Sequence, residues 1–222
     1  MSAIEYKLRA RSKWNWRGFD TVRMEISVGQ PYHEGAKLAL AMSWARENFD
    51  RVVVILGDAP QRYNVMFRTG FAECNAEKLA HGAGDAWLER NRDLLRGVEI
   101  TRWNDWKSDP RYIDNRVAVS RLYSAHGQFR GAIHDAITEF IDRRGMGEND
   151  RRRFFALSEQ YLLEETAVFA TAYDDLGGIS AYPGDFLKMW EMFIDATDTS
   201  VPSGLTKAHC IRLAFNRLKQ AA

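Results

Sequence analysis

The stretch "RMEISVGQPYHEG", residues 23–35, decides how the chain is read. Val22, Met24 and Ile26 alternate up to Ser27, and Gly29, Pro31 and Gly35 then interrupt the chain before "AKLALAMSWARENF". Alternation, turn residues and an apolar-periodic run predict a strand, a tight loop and an amphipathic helix. The strand ends on a hydroxyl.

Downstream, "RVVVILGDAP" is a β-branched run without alternation, as a parallel strand buried on both faces should be. A helical region over roughly residues 61–96 ends on Gly97, and "VEITRW" (98–103) is a third strand. Strands alternating with helices predict βαβ units and a parallel sheet covered on both faces. "SDPRYIDNRVAVSRLYSAHG" predicts a helix with Ser108 as cap and Pro110 in the first turn. "QFRGAIHDAITEFIDRRG" and "RRRFFALSEQYLLEETAVFATAYDD" predict two more, flanking "GMGEND" (145–150), the best boundary in the chain. Gly177 and Gly178 break the second of them; "ISAYP" is extended up to Pro183, and "FLKMWEMFIDA" is helical again. "AHCIRLAF" suits a strand or a helix.

At 222 residues the chain is expected to form a single domain, residues 1–222. A 45% hydrophobic and 27% charged composition suits a soluble globular protein, and a net charge of +1 gives no polyanion-binding signature by itself. Cys74 and Cys210 have neither metal-ligand spacing nor a disulfide framework, and the polar, basic N-terminus is no signal peptide. With no apolar run long enough to span a bilayer, a cytoplasmic location is the expectation.

In an open parallel sheet, ligands bind beyond the carboxyl ends of the strands, where Ser27 and its loop would lie. Gly29 permits close backbone approach, with neighbouring amides able to hold an oxyanion; a turn or cap serine is the plainer alternative. Tyr161 and Glu165, four apart on a helix, share one face and could hold an ammonium group, unless they are simply a surface pair. Tyr182 stands in the extended segment beside Pro183. No G-x-x-x-x-G-K-[ST] or G-x-G-x-x-G is present, and no G-x-S-x-G supports a serine hydrolase built on His33 or His134.

Together these residues resemble the cyclodipeptide synthases. That family places a nucleophilic serine in a pattern like I-S-x-G-N-x-[YW]-[FY], here "ISVGQPYH"; it has Y-x-x-x-E on a helix, here Tyr161 and Glu165; and it has a later tyrosine ending a strand, here Tyr182. The likeness covers about residues 20–195 and includes Trp44, Phe49, "ITRWNDW" and "RLYSAHGQFRGAI". It implies an α/β, Rossmann-like parallel sheet flanked by helices, similar to the catalytic domain of class Ic (tyrosyl- and tryptophanyl-) aminoacyl-tRNA synthetases. "PYHEGA" is similar to the histidine-rich ATP signature of class I synthetases, but Ala36 stands where a second histidine is needed.

The resemblance implies an aminoacyltransferase that joins two aminoacyl groups, from two aminoacyl-tRNAs, into a diketopiperazine through an ester on Ser27, by ping-pong covalent catalysis. Tyr161 and Glu165 would hold the α-amino group and Tyr182 would relay a proton, with no metal or organic cofactor and the enzyme a monomer. Substrate-binding positions would be Arg23, Glu25, Gly29, Gln30 and Val54. Gln30 and Pro183 depart from the Asn and His (or Gln) common in the family, as in the branch lacking that pair. Strand alternation puts Arg23 and Glu25 on the face of Ser27, which in the family lines the pocket for the first side chain; a charged or polar first residue is one reading of Glu25, a pairing with Arg23 the other. The family's basic helix face falls on Lys78, Arg90, Arg92 and Arg96, with "RRR" (151–153) and "KLRARSKWNWR" as rival patches. A catalytically inactive tRNA-binding or regulatory protein is the alternative function.

Overall fold

The computed structural model describes residues 5–184 and 188–218. Its β-branched and aromatic segments pair into one six-stranded sheet of order β1-β6-β5-β2-β3-β4. In chain order the strands are β1 (Tyr6–Arg11), β2 (Thr21–Ser27), β3 (Arg51–Gly57), β4 (Glu99–Arg102), β5 (Ile179–Pro183) and β6 (Cys210–Arg217). β2 pairs in parallel with β3 and β5, β3 with β4, and β5 with β6; β1 runs antiparallel to β6. The sheet is therefore mixed rather than purely parallel, and "AHCIRLAF" contributes to a strand.

The helices are α1 (Gly35–Asn48), α2 (Arg62–Thr69), α3 (Glu73–Arg90), α4 (Trp103–Lys107), α5 (Arg111–Ala125), α6 (Gly127–Arg144), α7 (Glu148–Leu176) and the short α8 (Lys188–Glu191) and α9 (Ser203–Thr206). On one face of the sheet, Leu38, Met42 and Ala45 of α1 and Trp87 of α3 pack on Val22, Met24, Ile26, Val54 and Leu56. On the other, α4 to α9 build a second core that includes Val53, Ile55, Ile133, Ile137, Phe169 and Tyr173. Strand parity divides the two cores, since successive side chains point to opposite faces.

Several boundaries differ from the sequence reading. The helical region after β3 is two helices, because Gly70 takes a left-handed φ of +74° and closes α2; α3 then stops at Arg90, well short of Gly97. Ser108 does not cap α5: its Oγ donates to the Asn104 carbonyl at 2.8 Å, closing α4, and the Asp109 carboxylate accepts the Arg111 N–H at the start of α5. Pro110 sits just ahead of the first turn. The 145–150 segment separates no cores, since Ile133, Ile137 and Ile141 before it pack with Phe154 and Leu162 after it. In "FLKMWEMFIDA" the helix covers Lys188–Glu191; Phe186 and Leu187 lie outside the described residues. Among the described residues, no helix is long and apolar enough to cross a membrane.

Candidate active site

Because β2, β3 and β5 run in parallel, their carboxyl ends open at one edge of the sheet. There Ser27, Gly57, Tyr182 and Pro183 line a cavity of about 1150 Å³. Across it lies α7, whose Tyr161, Glu165, Phe169 and Tyr173 recur every four residues and so form one stripe. The first three line the cavity, and the Tyr173 hydroxyl donates to Glu25 Oε1 at 3.0 Å.

The structure brings together the four residues expected to do chemistry. Ser27 Oγ lies 3.4 Å from the Tyr182 hydroxyl, and Tyr182 contacts the Tyr32 hydroxyl at 3.0 Å. Tyr161 donates to Glu165 Oε1 at 3.3 Å. Burial raises Tyr161 and Tyr182 well above the ordinary phenol range, so both keep their protons. Burial also pushes the Glu165 carboxyl up to about 8; the Tyr161 bond opposes the shift, and the charges of Glu25 and Glu164 add to it.

The loop after β2 is held from within. Gly29 takes φ +87°, the Gln30 N–H bonds the Ser27 carbonyl at 3.2 Å, and the Ser27 N–H donates to His33 Nδ1 at 2.9 Å. These two amides are thus committed inside the loop rather than to an oxyanion. His33 is 2% exposed, and burial lowers its pKa to about 4, so the imidazole is neutral. It contacts the backbone of Ser27, not the hydroxyl, and so is no general base for it. Its ring packs edgewise against Tyr32 and Tyr182, and the Trp87 indole holds its carbonyl at 2.9 Å.

The substrate-binding set divides. Glu25 and Gln30 line the cavity; Gly29 shapes the loop. Arg23 does not reach the cavity: it lies at 0% exposure beneath Glu25, donating to the carbonyls of Gly177 (2.6 Å) and Lys207 (3.1 Å) and to Ser180 Oγ. Its guanidinium covers the Tyr173 ring and stands 4.0 Å from Glu25. Val54 is a correction: it faces the core under α1, and Ile55, one residue on, lines the cavity. A strand buried on both faces carries no alternation to tell the two apart.

Three of the four basic residues expected on the tRNA-binding face are held in ion pairs. Arg90 pairs with Glu34 at 2.9 Å, Arg92 with Glu89 and Arg96 with Asp93 at 3.0 Å; only Arg90 and Lys78 lie on α3 itself. In "RRR", Arg151 pairs with Asp142 and Arg152 with Glu148, while Arg153 donates to the Met66 carbonyl. "KLRARSKWNWR" begins in β1, with Lys7, Arg9 and Arg11 exposed. His134 belongs to a separate cluster with Tyr123 and Glu159. The cavity rim instead carries Arg143, Arg144 and Lys188, which no motif singled out. Beside the cavity, Arg62 holds Glu164 with a bidentate pair at 2.8 and 2.5 Å, fixing the register of α7 next to Glu165.

A hydroxyl at a parallel strand's carboxyl end, across a cavity from a buried phenol and carboxylic acid, stands where a Rossmann-like sheet binds its ligand. The family model described as cyclodipeptide synthase matches residues 10–177, and the chain belongs to that family. Among solved structures it resembles a cyclodipeptide synthase from Fluoribacter dumoffii, at 26% identity and TM-score 0.85 over 97% of this chain and 100% of that one. A Mycobacterium tuberculosis structure, described as showing that cyclodipeptide synthetases are related to type I tRNA synthetases, shares 15% identity and TM-score 0.70 over 96% and 94%. One from Candidatus Glomeribacter gigasporarum, bound to Phe-tRNAPhe, shares 16% identity and TM-score 0.65 over 91% and 89%. No curated protein matches the chain at a significant level.

Proposed function

We propose that this enzyme condenses two aminoacyl groups from two aminoacyl-tRNAs into a cyclic dipeptide through an ester on Ser27. The observation that carries the reading is Ser27 Oγ within 3.4 Å of Tyr182, opposite Tyr161 and Glu165 in one cavity. Ser27 Oγ bonds to the aminoacyl carbon, the bond to the terminal ribose oxygen breaks, and the serine proton ends on that leaving hydroxyl. The amine of a second aminoacyl-tRNA attacks the ester, giving a dipeptide still esterified to tRNA; its amide bond replaces the Ser27 ester bond, and Ser27 regains a proton. Ser27 Oγ then attacks that ester, the bond to the second tRNA's ribose oxygen breaks and its hydroxyl takes the serine proton, which leaves a dipeptidyl enzyme. Attack of the free amine on the remaining ester closes the ring.

Tyr161 and Glu165 hold the α-amino group. An ordinary α-amine has a pKa of about 8, matching the value of about 8 to which burial brings Glu165. One proton can then pass between amine and carboxylate at little cost, which frees the amine for attack. Tyr182 and Tyr32, 3.0 Å apart, offer a proton path beside Ser27. At about 1150 Å³ the cavity exceeds the usual range of about 300–1000 Å³ for a small-molecule site. Arg143, Arg144 and Lys188 on its rim form no ion pair among the described residues and suit an incoming phosphate backbone.

The test is mass spectrometry of medium from bacteria expressing the chain beside a Ser27→Ala control. A new species with the mass of two amino acids less two waters, absent from the control, is expected. The same product from the Ser27→Ala variant would remove Ser27 from the mechanism.

A further inference from the structure

Resting on that reading, the cavity's inner wall also bears on which amino acid is taken first. Glu25 is 5% exposed and lines the cavity on the same strand face as Ser27, two residues away. Its Oε1 accepts from Ser180 Oγ at 2.6 Å and from Tyr173 at 3.0 Å. Its Oε2 is buried and has no partner among the described residues. A buried carboxylate oxygen left unpaired is costly, so a ligand that brings a donor to it is favoured over one that seals it against hydrocarbon.

The two indole N–H groups on this wall do not compete for Glu25 Oε2. The indole N–H of Trp103 is taken by Glu164 at 2.9 Å and that of Trp190 by Thr166 at 3.0 Å, leaving the rings as apolar walls beside Ile55 and Phe169. Charge balance narrows the ligand further. Arg23 already answers Glu25, and Glu165 and the substrate's α-amino group share one proton between them, a pair with no net charge. A cationic side chain would leave one buried positive charge in excess, whereas a neutral donor leaves none.

We propose that the first aminoacyl group carries a neutral side chain with a hydrogen-bond donor, an amide, hydroxyl or imidazole N–H, that donates to Glu25 Oε2. Glu25 is then the specificity-determining residue of the first pocket.

The experiment acylates one tRNA body in turn with glutamine, asparagine, serine, threonine, histidine, leucine, methionine, phenylalanine, lysine and arginine. The rate of ester formation on Ser27 is followed by intact-protein mass. At least one of the neutral donors is expected to react tenfold or more faster than every apolar residue and both cations. Glu25→Gln, which can retain acceptance from Ser180 and Tyr173 while turning a donor toward the cavity, should reduce that preference at least tenfold. A wild-type preference for leucine, methionine or phenylalanine, or for lysine or arginine, overturns the inference and leaves the proposed function standing. An ester with none of the ten overturns the function, and the inference with it. The wild-type ranking decides even if the variant fails to fold.

Discussion

His33 accepts the backbone N–H of Ser27 on Nδ1 at 2.9 Å, so a neutral imidazole holds the peptide that carries the proposed nucleophile. Burial disfavours the charged imidazolium, and the Ser27 carbonyl, 3.3 Å from Nδ1, opposes that shift only in part. The folded pKa of about 4 lies below the ordinary 6.5, so the unfolded chain binds the extra proton between those values. The stability concerned is present above pH 6.5 and lost as pH falls through 4, and amounts to about 3 kcal/mol. Urea unfolding from pH 7 to 4 should therefore show a steeper loss for wild type than for His33→Gln. Parallel curves for the two proteins would remove His33 as the titrating group.

Glu165 has the opposite sign. Its folded pKa is raised from 4.5 to about 8, so the native state holds the proton and stability falls as pH rises through that window. Glu165→Gln should match wild type below pH 4.5 and exceed it by about 5 kcal/mol above pH 8, while cyclic product drops at least a hundredfold. Equal stability at pH 8.5 would show that the carboxyl is not held protonated.

Tyr182→Phe removes the hydroxyl between Ser27 Oγ and Tyr32. The ring and its packing remain, so the fold should be unchanged. We expect product formation to fall by ten- to a thousandfold, with acylated protein or linear dipeptide accumulating in intact-mass and product analysis. An unaltered rate would exclude Tyr182 from proton transfer.

The part of this site visible in the sequence is the part that sits on regular periods. Ser27 closes an alternating strand, and Tyr161 and Glu165 keep a one-turn spacing. Their hydrogen-bonding surroundings have no such marker: Ser180 and Tyr173 meet Glu25 across separations of 155 and 148 residues, which only the folded sheet brings together. The edge strand β1 is hidden for a different reason. In "YKLRAR" every second residue is charged and exposed, which suits an edge strand but gives the segment the composition of a basic patch.

Gly178, just ahead of β5, takes φ +73°, and a Cβ there would stand 2.4 Å from the Thr21 carbonyl oxygen of β2. Gly178→Ala should cost about 2–4 kcal/mol through backbone strain and the clash. Because β5 carries Ser180 and Tyr182, activity at permissive temperature should fall as well. Thermal unfolding within 2 °C of wild type would mean that the strands separate without penalty.

The Arg23 guanidinium beneath Glu25 has a consequence for anyone recasting this pocket. Exchanging Glu25 alone for a hydrocarbon strands a cation in the interior, held by the Gly177 and Lys207 carbonyls and Ser180 but with its nearby counter-charge gone. Pocket libraries that vary one position at a time will be dominated by unfolded chains at this site and will understate what it tolerates. The heritable unit is the trio Arg23, Glu25 and Ser180, and new substrate preferences should be sought by replacing it whole.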